Sequence, residues 1–86
     1  MPAAPDLALY HYDGCPYCDK VRRALVRLGV TVELRNIHQE PEHLRALLAA
    51  RGRTTVPVLR IQKPEGDTWM PESGDIVRYL EQRFGG

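Results

Sequence analysis

Two cysteines three positions apart are the residues of this chain best suited to chemistry. They stand in the segment Cys15-Pro16-Tyr17-Cys18 and are the only cysteines of the 86-residue sequence. A short apolar run precedes the motif and a helical pattern follows it, so the first sulfur should lie at a helix N-terminus. Unpaired N–H groups there favour negative charge, and the thiolate is the reactive form of cysteine. The pattern predicts Cys15 as a nucleophile and Cys18 as the thiol that attacks a mixed disulfide formed on it.

The same motif could instead be half of a zinc site, or a coincidence. A structural zinc site needs four ligands, usually from a second cysteine pair or from two spaced histidines. The histidines are His11, His38 and His43. The last two have a plausible mutual spacing, but they are expected on the far side of a strand from the cysteines. A redox dithiol is therefore favoured, and no metal is expected.

The segment Thr54-Thr55-Val56-Pro57 is the second candidate for function. A proline at the entry of a strand is unusual because it lacks the N–H that a sheet ladder uses. Taken alone, it is most simply a loop residue that begins a strand. Downstream of a C-x-x-C motif in a β-α-β-α frame, it instead predicts a cis proline that turns the backbone of Val56 toward the sulfurs. The free N–H and C=O of Val56 could then pair with an extended peptide substrate.

The segment Glu72-Ser73-Gly74-Asp75 is the third candidate. Ser73 and the free N–H groups of the following helix make an anion site, and Gly74 allows a close approach to the backbone. Asp75 could accept hydrogen bonds from an ammonium group, so the segment suits the head of an α-amino acid. The simpler alternative is that Ser73 is the ordinary N-cap of this helix, followed by an acidic first turn. Arg53, just before the Thr54-Thr55-Val56-Pro57 segment, is a candidate to bind a second carboxylate of the same ligand.

Hydrophobic periodicity, punctuated by proline and glycine, predicts an α/β domain in the order β-α-β-α-β-β-α. The predicted strands cover residues 7–11, 30–35, 58–62 and 68–70, and the predicted helices cover residues 16–28, 41–51 and 73–84. The first two strands should pair in parallel through a right-handed crossover. The last two should form a hairpin. The result is a four-stranded mixed sheet covered by three helices.

Composition bounds the remaining possibilities. A net charge of +1, with 43% hydrophobic and 27% charged residues, describes one small globular domain and favours neither a nucleic-acid nor a membrane partner. Residues 1–6 are expected to form a disordered tail that is not a signal peptide, and residues 7–86 the domain. Two cysteines at this spacing cannot form a disulfide that joins distant segments of the chain. Because no structural disulfide is expected, a reducing cytoplasm is the expected setting. Nothing suggests a dimer, so a monomer is expected.

Together, the three segments resemble those of the glutaredoxins, in order over residues 7–84. Cys15-Pro16-Tyr17-Cys18 matches the dithiol glutaredoxin active site, and residues 52–57 resemble the cis-proline segment of that family. The segment around Glu72 is instead similar to glutathione S-transferase N-terminal domains, and to bacterial glutaredoxins that carry a transferase-like helical domain. The resemblance implies a thioredoxin-like fold. A transferase-like helical domain is not expected within these 86 residues.

The resemblance also implies roles for individual residues, with glutathione as co-substrate. Cys15 would take up the glutathione sulfur, and Cys18 would be the resolving thiol. The residues implied to contact glutathione are Tyr17, Arg53, Thr55, Val56, Pro57, Glu72, Ser73, Gly74 and Asp75. The last four would hold its γ-glutamyl end. Many glutaredoxins carry a lysine where this chain has Tyr12, so Arg53 is the substitute predicted to bind the glycyl carboxylate.

The function predicted on this basis is glutathione-dependent reduction of protein–glutathione mixed disulfides and of protein disulfides. Its partners would be glutathione and glutathionylated or disulfide-bonded proteins. One alternative is a transferase-like domain that conjugates electrophiles, which the Glu72-Ser73 pair favours and the missing second domain opposes. The other is a carrier of an iron–sulfur cluster ligated by Cys15 and glutathione. Pro16 opposes that alternative because it stiffens the loop.

Overall fold

Residues 3–85 of the computed structural model form a four-stranded mixed sheet with three helices. The strands are β1 (Ala3–His11), β2 (Thr31–Asn36), β3 (Val58–Ile61) and β4 (Thr68–Met70). The helices are α1 (Pro16–Leu28), α2 (Pro41–Arg51) and α3 (Ser73–Phe84). The predicted order of elements and the α/β thioredoxin-like fold are confirmed. No helix within residues 3–85 is both long enough and apolar enough to cross a bilayer.

The sheet has the strand order β2-β1-β3-β4, so β1 is an inner strand. β1 pairs in parallel with β2 and antiparallel with β3, and β3 and β4 form an antiparallel hairpin. The predicted parallel pair and the predicted hairpin are therefore both confirmed. Because α1 follows directly on β1, the loop that carries Cys15 lies at the carboxyl end of an inner strand.

The sheet separates two apolar clusters. The cluster on the side of α1 and α3 has as its fully buried members Leu7, Leu9, Val21, Leu59, Ile76 and Leu80. The cluster on the side of α2 has as its fully buried members Tyr10, Leu47 and Val58. Successive residues of β1 alternate between these clusters, as the period of a strand requires. The inner strand is therefore covered on both faces and gives the loop after it a fixed base.

Local signals at the helix ends explain why α1 and α2 have the predicted bounds. Each begins with a proline at its first position, where the missing N–H costs nothing. Each ends at a glycine in the left-handed conformation, Gly29 with φ 69° and Gly52 with φ 70°. The N-cap of α3 is Glu72, so the expectation that Ser73 caps this helix is wrong. Ser73 is its first residue.

Helical spacing predicts that Leu44, Leu47 and Leu48 of α2 all face inward, and the structure differs from this prediction at Leu48. Leu47 is fully buried and Leu44 is partly buried, but Leu48 is 42% exposed. The buried stripe is centred on Leu47 and is flanked by the partly buried His43 and Arg51, each four residues away from it. This rotation of the stripe turns Leu48 toward solvent.

The predicted disordered tail is wrong for residues 3–6, which belong to β1. Ala3 pairs with Thr31 of β2, and Ala4 is buried in the core. The Asp6 carboxylate accepts hydrogen bonds from both terminal guanidinium nitrogens of Arg83, at 2.8 and 2.9 Å. Backbone pairing, burial and an ion pair to α3 together fix this segment. Residues 1 and 2, and residue 86 at the other end, lie outside the described part of the chain.

Candidate active site

Cys15 occupies the N-cap of α1, with an extended backbone (φ −85°, ψ 114°). Its Sγ accepts a hydrogen bond from the backbone N–H of Cys18 at 3.4 Å. The sulfur thus takes the place that a serine or aspartate oxygen takes at an ordinary N-cap. The unpaired N–H groups and the dipole of α1 both favour negative charge at this point. The position therefore suits a thiolate nucleophile.

Cys18 lies one turn into α1 and is fully buried. Burial, together with the neighbouring Cys15 sulfur, raises the pKa of the Cys18 thiol to about 12. Cys18 therefore holds its proton at neutral pH. Both cysteines are free thiols, and Tyr17 between them is 64% exposed. The two sulfurs therefore differ: the Cys15 sulfur lies at the N-terminus of α1, and the Cys18 thiol is buried and protonated.

Tyr12 lies beside the Cys15 sulfur, at a position where the sequence analysis noted only that a lysine was missing. Negative charge on Cys15 raises the pKa of Tyr12, so the phenol remains a hydrogen-bond donor at neutral pH. The ring stacks on His38 with 4.6 Å between centroids and 23° between planes. Because the stack fixes the ring, the hydroxyl is held near Cys15.

A cavity of about 360 Å³ collects most of the predicted contact residues. Its lining comprises Tyr17, Arg51, Arg53, Thr55, Val56, Pro57, Pro71, Glu72 and Ser73. The peptide bond between Val56 and Pro57 is cis, as the sequence predicted. Gly74 and Asp75 follow in the first turn of α3, outside this lining. The Asp75 carboxylate accepts a hydrogen bond from Arg78 at 2.9 Å, and both side chains are exposed.

A second cavity of about 520 Å³ lies next to the first. Its lining comprises Tyr12, Ile37, His38, Leu44, Thr54, Thr55 and Val56. Thr55 and Val56 form a wall common to both cavities. Sequence reasoning did not find His38 as a site residue. The available signal was its place in the loop after β2, which ends beside the carboxyl end of β1.

The arginines near the predicted glutathione contacts lie in the cavity that Glu72 and Ser73 also line. Arg53 was predicted to be separate from the γ-glutamyl site, yet it lines the same cavity as Glu72 and Ser73. Arg51 lines this cavity too, and its Nε is buried without a hydrogen-bond partner in the described part of the chain. Neither arginine forms an ion pair with any residue between 3 and 85. Both guanidinium groups can therefore bind an anion.

The described residues also contain one group of side chains with metal-ligand spacing, at the start of α2. The ligand atoms of Glu40, Glu42 and His43 lie within 4.8 Å of one another, and both carboxylates are exposed. His43 Nε2 approaches the Glu40 carboxylate to 3.4 Å. Neither cysteine belongs to this group, so it is separate from the thiol site.

Comparison with known proteins identifies the family. The family model described as the glutathione S-transferase N-terminal domain matches residues 9–86. The chain belongs to this family. The predicted similarity of the Glu72 segment to transferase N-terminal domains is thereby confirmed. The family shares the thioredoxin-like fold described above.

Individual relatives include both glutaredoxins and transferases. Glutaredoxin 2 of Escherichia coli K12 is 33% identical over 79 residues, which are 92% of this chain and 34% of that protein. A structure of glutaredoxin 2 from Salmonella typhimurium in complex with glutathione is 32% identical, with a TM-score of 0.73, over 95% of this chain and 35% of the other. A trimeric glutathione transferase from Leishmania is 26% identical, with a TM-score of 0.75, over 91% of this chain and 18% of the other.

These matches confirm the resemblance to glutaredoxins and extend it to glutathione transferases. The chain spans about a third of the length of the curated relatives that it matches. The ligands and activities of those longer proteins are therefore properties of those proteins. Assigning them to this chain is a proposal.

Proposed function

We propose that this chain is a glutathione-dependent thiol–disulfide oxidoreductase, with Cys15 as nucleophile and Cys18 as resolving thiol. The observation that carries the proposal is the sulfur of Cys15 at the N-cap of α1, accepting the Cys18 N–H at 3.4 Å. A thiolate is favoured there, and a second thiol stands one turn away. The similarity to glutaredoxin 2 supports glutathione as the co-substrate.

The one-thiol route needs Cys15 alone. Its thiolate attacks the glutathione sulfur of a protein–glutathione mixed disulfide, the protein thiolate leaves, and Cys15 holds glutathione as a disulfide. A second glutathione thiolate then attacks the bound glutathione sulfur, releasing oxidised glutathione and the Cys15 thiolate. The helix N-terminus stabilises Cys15 as the leaving group in this last step.

The two-thiol route reduces protein disulfides. Cys15 attacks one sulfur of the substrate, which releases one substrate thiolate and leaves a mixed disulfide. Cys18 then loses its proton and attacks the Cys15 sulfur, which releases the second substrate thiolate. The resulting Cys15–Cys18 disulfide is reduced by two molecules of glutathione. A monomer in a reducing compartment such as the cytoplasm suits both routes.

The two cavities suggest how glutathione would lie. Its cysteinyl backbone would pair with the backbone of Val56 on the common wall, near Thr55 and Pro57, with Tyr17 beside its sulfur. Its γ-glutamyl end would occupy the first cavity with Arg53, close to the segment Glu72-Ser73-Gly74-Asp75 at the start of α3. The glycyl end would then extend into the second cavity, toward Tyr12 and His38. This arrangement moves Arg53 to the end opposite the one predicted from sequence.

A reductase assay on a glutathione mixed disulfide, coupled to glutathione reductase, tests the proposal. We expect turnover in the wild type and none in Cys15→Ser. Cys18→Ser is the matched control, because it should retain deglutathionylation and lose the reduction of protein disulfides. A wild type that is inactive toward mixed disulfides would refute the proposal. Equal loss of both activities in Cys18→Ser would refute the one-thiol route.

Transferase-like conjugation is the second candidate, because the family model matches residues 9–86 and Glu72 and Ser73 line the first cavity. In this case the bound glutathione thiolate, rather than Cys15, attacks an electrophile. The Tyr12 phenol could stabilise that thiolate. A conjugation assay separates the candidates, because conjugation should survive Cys15→Ser whereas disulfide exchange should not.

A further inference from the structure

A buried histidine ends β1, the strand that leads into the loop of the thiol pair. His11, the last residue of β1, is 5% exposed, and its Nδ1 has no hydrogen-bond partner among residues 3–85. Buried polar atoms in native proteins are nearly always paired, so an unpaired one calls for a reason. None of the catalytic steps described above uses His11.

The fold places His11 and Cys18 at the same interface between β1 and α1. Strand alternation puts its side chain on the same face of β1 as Leu9, which packs in one cluster with Val21 of α1. Cys18 lies three residues before Val21 on the same buried stripe of α1. The charges that act on the His11 ring belong to the loop before α1 and to its first turns, namely Asp13, Asp19 and Arg22. His11 and Cys18 therefore lie across the same interface.

The resolving step requires that Cys18 lose its thiol proton, and Cys18 needs another group to accept it. Cys18 must become a thiolate to attack, but burial raises its pKa to about 12. Burial, with Arg22 nearby, lowers the pKa of His11, although Asp13 and Asp19 act in the opposite direction. His11 is therefore neutral at pH 7, and a neutral imidazole has one nitrogen that can accept a proton.

We propose that His11 accepts the Cys18 thiol proton when the mixed disulfide on Cys15 is resolved, a step that rests on the function proposed above. The S–H bond of Cys18 breaks and the proton passes to the imidazole, directly or through one water. The Cys18 sulfur forms a bond to the Cys15 sulfur. The bond between Cys15 and the substrate sulfur breaks, and its electron pair leaves on the substrate thiolate. The imidazolium then releases its proton to that thiolate or to solvent.

His11→Phe tests the proposal, because phenylalanine fills a similar buried volume but cannot accept a proton. Resolution is measured in a single turnover, from a preformed mixed disulfide on Cys15 to the Cys15–Cys18 disulfide, by acid quench and mass spectrometry. We expect it to slow about 100-fold, within the range that a positioned general base supplies. Deglutathionylation should be unchanged, because it needs only Cys15, and this also reports that the variant is folded. If His11→Phe does not fold, His11→Asn is used with the same readouts.

The pH profile adds a readout that a structural role would not move. In the wild type, the resolution rate should be level near neutrality and fall as acid protonates His11. In His11→Phe it should rise tenfold per pH unit throughout, because free hydroxide must then remove the proton. In a Cys18→Ser background, His11→Phe should have no further effect on deglutathionylation.

Two results would overturn the role of His11. One is an unchanged resolution rate and pH profile in the variant. The other is an equal slowing of resolution and of deglutathionylation, since that would show a general effect on the site. Both differ from failure of the proposed function, in which the wild type itself would not reduce mixed disulfides.

Discussion

The two ends of the proposed glutathione site can be told apart by combining variants with a shortened ligand. Arg53 shares a cavity with Glu72 and Ser73, whereas His38 lines the cavity on the other side of Val56. γ-Glutamylcysteine keeps the γ-glutamyl end of glutathione but lacks the glycine. We expect Arg53→Ala to raise the KM for both thiols. We expect His38→Ala to raise it for glutathione and leave it unchanged for γ-glutamylcysteine.

The size of the effect follows from exposure. A hydrogen bond to a charged group contributes about 1.5–3 kcal/mol when it is shielded from water. Arg53 is exposed, so the smaller value for a solvent-screened pair, about 0.5–1 kcal/mol, applies. That free energy corresponds to an increase in KM of about two- to fivefold. Turnover should change little, because the contact is equally strong in the ground state and the transition state.

The assay is steady-state reduction of a mixed disulfide with each thiol in turn as reductant, followed by chromatography of the disulfide product. Arg45→Ala is the matched control, since Arg45 is an exposed arginine of α2 that lines neither cavity. The assignment of Arg53 to the γ-glutamyl end would be refuted if Arg53→Ala raised the KM for glutathione but left the KM for γ-glutamylcysteine unchanged. Arg53 would then bind the glycyl end, as the sequence predicted.

Four further variants test other parts of the structure. Asp6→Asn should lower the free energy of unfolding by about 1 kcal/mol near neutral pH. Its arginine partner lowers the pKa of Asp6 below the ordinary 3.8, so in pH-dependent denaturation the difference from wild type should vanish as pH falls below that value. Leu47→Ala should cost about 2–5 kcal/mol, and Leu48→Ala about 0.5 kcal/mol or less, in denaturant unfolding. Tyr12→Phe should slow alkylation of Cys15 by up to about tenfold at neutral pH, because it removes a hydrogen-bond donor to the thiolate; an unchanged rate would place the phenol outside contact with the sulfur.

Sequence reasoning succeeded where the signal is local. Pro16 and Gly29 mark the two ends of α1 through backbone properties that hold in any context. The place of Cys15 at the start of α1 likewise follows from four consecutive residues, the C-x-x-C motif. The start of β1 was missed because Pro5 and its alanine neighbours look like tail composition. What orders them is pairing with β2 and the contact of Asp6 with α3, both distant in the sequence.

The arrangement of the site beyond the cysteines depends on how three loops meet. Arg53 was assigned to one end of the ligand from its place in the sequence, but which cavity its side chain lines depends on how its loop folds against α3. Tyr12 and His38 are far apart in the sequence, and their stack exists only because β1 and β2 pair in parallel and end side by side. The sequence did not indicate a role for His11, because the feature that singles it out is a buried Nδ1 without a hydrogen-bond partner, which only the structure shows.

The N-cap position of Cys15 also connects the redox state of the protein to its folding equilibrium. α1 stabilises the negative charge of a thiolate, and that charge exists only in the reduced protein. Any such stabilisation is absent from the disulfide form and from the unfolded chain, so it raises the stability of the reduced protein relative to the oxidised one. By the same thermodynamic cycle it makes the couple more oxidising, by 30 mV for each 1.4 kcal/mol or so. Denaturation midpoints of the two redox forms would therefore report, without any substrate, how strongly this helix contributes to the reduction potential.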